Sequence, residues 1–85
     1  MLSHEEMLAG IRACIWRILP TKPDLDRHTL AADIPGWDSY ATVEIIFAIE
    51  DLFGFRMTSA EMETADGIHA LLAIVGARMP LAGAA

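Results

Sequence analysis

Eighty-five residues, 54% of them hydrophobic, carry a net charge of −6 and a pI near 4.7, which describes a single acidic globular domain and excludes a disordered tail. A chain this short buries only roughly 60 to 65% of its unfolded surface and has nothing left for a second core, and its acidity argues against a nucleic-acid partner. One cysteine, Cys14, excludes an internal disulfide, and no apolar run approaches the roughly 20 residues that cross a bilayer.

Taken in order, Ser3 and Glu6 form a capping box. Met7, Leu8, Ile11, Cys14, Ile15, Ile18 and Leu19 then recur at helical spacing until Pro20, which predicts a first helix over residues 4–19. Cys14 falls among isoleucines and reads as a small buried hydrophobe, not a catalytic thiol. The next stretch, PTKPDLDRHTLAADIPGW, holds three prolines and a glycine without any sustained period. It predicts a long ordered loop over 21–37, pinned by Leu25, Leu30 and Ile34, and a loop of that length in a small domain is usually functional.

A second helix is expected from Ser39 to Phe53, ended by Gly54 in the left-handed position. Thr58 and Glu61 make another capping box, opening a short helix over TSAEME. Asp66 is expected to cap a last helix with Ile68, Leu71, Leu72, Val75 and Met79 on one side. Residues 80–85 are expected to form a frayed tail after a single domain over 1–79. No strand-type alternation or repeat occurs, so the expected fold is all-α, three main helices and one short one.

The second helix has one apolar stripe too many. Ile45, Ile46, Ile49, Leu52 and Phe53 share the face a core needs. Tyr40, Val43 and Phe47 lie on nearly the opposite side, with Glu44 and Asp51 along one margin and Glu50 along the other. No Lys or Arg intervenes between Arg27 and Arg56. Either this is an acid-rimmed ridge for a basic partner or the long loop folds over it. At the mouth of the helix stands Asp38-Ser39; a helix N-terminus stabilises an anionic phosphoryl group, and either side chain could equally serve as N-cap.

The stretch ADIPGWDSYATVEIIFAIEDLFGFRMTSAEME resembles the acyl carrier protein family: Asp-Ser before a hydrophobic residue, a Thr-Val-Glu-type helix, an acidic pair, a Phe-Gly-type end and a short third helix. With the flanking helices the resemblance covers residues 4–79. It implies a carrier-protein helical bundle with a 4′-phosphopantetheine arm, transferred from coenzyme A, on Ser39, with Asp38 belonging to the attachment motif. It also implies that the helix after Ser39 is the recognition helix, with Trp37, Tyr40, Val43, Glu44, Phe47, Glu50 and Asp51 facing partner enzymes and Met57 near the tethered chain. The implied partners are a phosphopantetheinyl transferase, an acyl- or aminoacyl-loading ligase, and acyl-processing enzymes with basic docking patches.

The sequence departs from the family at three places. Tyr40 replaces the usual Leu, Met or Ile, and Ala41 and Leu52 stand where many fatty-acid-synthesis members have acids. This favours a specialised carrier, of polyketide, secondary-metabolite or cell-envelope type, over a housekeeping one. An aminoacyl or peptidyl carrier, or an unmodified interaction module on the same fold, remain the alternatives. His4, His28 and His69 show no metal-ligand spacing, and no catalytic constellation is evident. The N-terminal MLSHEEML lacks a basic region ahead of an apolar stretch. A non-catalytic, monomeric, cytoplasmic protein is the resulting expectation.

Overall fold

In the computed structural model, which describes residues 3–79, the Ser3 hydroxyl accepts the Glu6 N–H while the Glu6 carboxylate accepts the Ser3 N–H. This capping box starts α1 (His4–Ile18) as the sequence predicts. Met7, Ile11, Cys14 and Ile15 point inward from it. α2 (Ser39–Phe53), α3 (Ser59–Thr64) and α4 (Ile68–Arg78) follow. The substantial packing pairs α1 with α2 and α1 with α4, so α1 is the spine of the bundle. Ile45 and Ile49 of α2 and Ile68, Leu71 and Val75 of α4 meet it in a core from which water is excluded. The tail expected over 80–85 lies outside the described residues.

Gly10 lets α1 and α2 approach closely: a Cβ there would stand 2.8 Å from Cζ of Phe53 and 3.2 Å from a Leu52 methyl. The expected core face of α2 is corrected at one position: Leu52 is 56% exposed, although one of its methyls lies beside Gly10.

The long loop is ordered by three ties. Leu25 is buried, the Trp16 indole N–H donates to the Pro23 carbonyl at 2.8 Å, and a 3₁₀ turn spans Ala31–Asp33. A backbone clip then fastens it to the start of α4: the Ala31 N–H donates to the Asp66 carbonyl at 2.8 Å and the Ile68 N–H to the Thr29 carbonyl at 2.9 Å. Because this clip is made by main chain, Leu30 is not needed as a pin and is 48% exposed, contrary to expectation. The expected Asp66 cap is also corrected: the N-cap of α4 is Gly67 and no side chain caps it. A Cβ at that position would meet the Thr29 carbonyl oxygen at 2.7 Å, so the loop crosses where only a glycine fits.

Among the described residues the fold is thus all-α, three main helices and one short helix with a long loop between α1 and α2. No helix there is long and apolar enough to cross a membrane.

Candidate functional site

The loop arrives at α2 through Gly36, whose φ of 88° lies in the left-handed region that glycine tolerates. Next, Trp37 turns inward. It is 6% exposed; its backbone N–H donates to the Ile34 carbonyl at 3.1 Å and its indole N–H to the Thr42 hydroxyl oxygen at 2.9 Å. Thr42 in turn donates to the Asp38 carbonyl at 3.0 Å. Trp37 is therefore a packing residue that locks the loop onto the first turn of α2, and the expectation that it faces partners is corrected.

Asp38 is the N-cap of α2: its carboxylate oxygen Oδ1 accepts the Ala41 N–H at 2.8 Å. That resolves which of the two neighbours caps the helix. Ser39, the first helical residue, takes no part in the cap and is exposed. Its hydroxyl sits at the positive end of a 15-residue helix, where an attached phosphoryl group would be stabilised.

Ser39 also borders an open cleft of about 690 Å³ between α2, α3 and the loop, lined by Leu30, Ala31, Val43, Ile46, Phe47, Met62 and Ala65 among others, with Asp38, Glu63 and Asp66 as its acids. The sequence predicts Met57 near a tethered chain; Met57 is instead 6% exposed and does not line this cleft, whereas Met62 of α3 does. The cleft could not be read from periodicity, because it needs α3 and the 3₁₀ turn to meet α2 across the chain.

The ridge is present. Tyr40, Val43 and Phe47 are 75%, 48% and 56% exposed, so the long loop does not cover them. Its rim is thinner than expected. Asp51 is exposed and Glu44 half-buried, but Glu50 is 8% exposed and its carboxylate accepts the Met57 N–H at 2.7 Å. The Glu50 carbonyl also accepts from Gly54 N–H at 2.8 Å. Glu50 thus organises the turn after α2, and its expected place among docking acids is corrected. Ala41 is 5% exposed; an acid there would be buried, so its absence says nothing about a docking face.

Arg78 was missed in the sequence, which offers no local signal for it. It donates to the Arg56 carbonyl at 2.8 Å, pairs with Glu61 and stands 5.2 Å from the Phe55 ring centroid. Glu61 is held below the usual carboxylate range, first by the Thr58 backbone N–H it accepts and then by Arg78. Burial pushes the Cys14 thiol up, which keeps it unreactive. Among the described residues no three His, Cys, Asp or Glu side chains are grouped to hold a metal ion.

Compared with protein families, curated proteins and solved structures, the chain matches none.

Proposed function

We propose that the protein is an acyl carrier, modified on Ser39 by a 4′-phosphopantetheine group that a phosphopantetheinyl transferase takes from coenzyme A. The observation that carries this reading is the division of roles at the mouth of α2: Asp38 does the capping, so the exposed Ser39 hydroxyl is available at a helix N-terminus beside an apolar cleft. The arm, when attached, supplies a terminal thiol on which acyl groups ride as thioesters.

The residues around Ser39 fit such a group. The positive end of α2 favours a phosphodiester on Ser39, and the apolar lining contributed by Val43, Ile46, Phe47 and Met62 favours an acyl over an aminoacyl cargo. Trp37 and Thr42 hold the corner so that Ser39 is presented on a rigid element. The exposed ridge of Tyr40, Val43 and Phe47, with Glu44 and Asp51 beside it, serves as the docking face for the transferase, the loading ligase and the acyl-processing enzymes. The protein itself catalyses nothing; it is the substrate of those enzymes, and Tyr40 points to specialised ones.

Incubation with coenzyme A and a broad-specificity phosphopantetheinyl transferase, followed by intact mass measurement, tests this. The wild-type chain should gain the mass of one phosphopantetheinyl group, and folded Ser39→Ala should gain none. A wild-type chain that stays unmodified would support the unmodified interaction module instead.

A further inference from the structure

We propose that α3 is a hinged wall of the cleft beside Ser39, and that Arg78 at the end of α4 is the latch that holds it closed. α3 contributes no buried residue, whereas α1, α2 and α4 share the core. Apolar burial therefore secures the three main helices, while α3 is anchored at its two ends by buried Met57 and Ala65, the points about which it can hinge, and within its own span only half-buried Met62 packs against the core. The Thr58–Glu61 capping box lies within α3 and its own cap, so it makes the helix without fastening it to anything.

Arg78 does the fastening. One arm of its guanidinium pairs with the Glu61 carboxylate of α3 and the other donates to the Arg56 carbonyl at 2.8 Å, in the turn ahead of α3. The same group lies over the Phe55 ring, 5.2 Å from its centroid. A single side chain on α4 thereby closes a ring through the turn and the short helix. The far side of α3 presents Met62 and Glu63 to the cleft, and Ile46 and Ser39 line the same cleft from α2, so release of Arg78 lets Met62 swing away from Ile46. With side-chain exposures of 31% for Arg78 and 22% for Glu61, the pair is partly screened and the latch is weak enough to open. This behaviour belongs to the fold and does not depend on modification of Ser39.

Amide hydrogen exchange and methyl relaxation by a soluble gadolinium chelate, on the full chain, test it. Arg78→Gln should speed exchange of the Met62 and Ala65 amides about tenfold while leaving Ile15 and Ile49 unchanged, because only a local opening is released. The Ile46 and Met62 methyls should become more accessible to the chelate, and that of Ile15 should not. Glu61→Gln retains a capping-box acceptor and should give a smaller change of the same pattern, so it carries the test should Arg78→Gln fail to fold. Arg78→Lys, which keeps the charge but not the two-armed geometry, should restore only part of the protection. The latch is overturned if α3 exchanges as in the wild type, or if protection falls equally in α1, α2 and α3, which would make Arg78 an ordinary stabilising residue.

Discussion

At positions 37 to 39 three adjacent side chains have three different surroundings: an indole packed inside, a carboxylate spent on a helix cap, and a hydroxyl left exposed. Only the third is both exposed and free of a structural role. Trp37 and Tyr40, both aromatic and three residues apart, should consequently respond in opposite ways to substitution. Trp37→Phe gives up the hydrogen bond to Thr42 and part of a buried ring, and should lower unfolding free energy by about 1–2 kcal/mol in urea denaturation. Tyr40→Leu removes a ring that is 75% exposed and should change stability by less than about 1 kcal/mol. On the proposed carrier function its effect should fall on recognition: better loading by generic fatty-acid enzymes, poorer loading by its own partner. Equal changes toward both, or a large drop in melting temperature, would make Tyr40 a packing residue. The residue scale is also where sequence reasoning was least complete. Glu50, Met57 and Ala41 are all buried, and a helical wheel cannot see a contact such as that of the Glu50 carboxylate with the Met57 N–H in the turn after α2.

α2 and α3 show how far helical periodicity reaches. The ridge and the core stripe of α2 are both legible, because side chains at three- and four-residue spacing must share a face; the exception is Leu52, which is exposed. The revised rim has two acids, so replacing Glu44 and Asp51 together by Lys should slow partner association and flatten its dependence on salt, with little loss of stability, as stopped-flow binding at several ionic strengths would show. Both capping boxes were legible from their four-residue pattern, and they predict an acid response. Glu6 and Glu61 are each held below the usual range chiefly by a cap backbone N–H, and Asp26 by the His28 N–H. A carboxylate whose folded pKa is depressed contributes stability that is complete above its unfolded pKa and lost as pH falls through the folded one. Melting temperature should therefore hold through neutral pH and decline below the ordinary carboxylate range, and Glu61→Gln should shallow that decline. A melting temperature that rises on acidification would contradict the assignment.

Across the whole molecule the all-α fold was legible, since three apolar repeats of helical period, separated by prolines, glycines and caps, leave few other ways to bury a core. What the repeats do not encode is how α3 and the long loop meet α2. That meeting depends on the backbone clip at Thr29–Ala31 and Asp66–Ile68, on a glycine beneath it and on Arg78, none of which has a periodic signature. These same contacts build the cleft beside Ser39, so the serine at the mouth of α2 was legible and the shape beside it was not. The proposed carrier function rests on that one hydroxyl, and its location can be read out directly. No Lys or Arg lies between Arg27 and Arg56, so trypsin releases residues 28–56 as one peptide that also carries Thr29, Tyr40 and Thr42. Fragmentation of this peptide by tandem mass spectrometry, after treatment with coenzyme A and transferase, should place a single phosphopantetheinyl group on Ser39. An unmodified peptide, or a group on any of its other hydroxyls, would contradict the account.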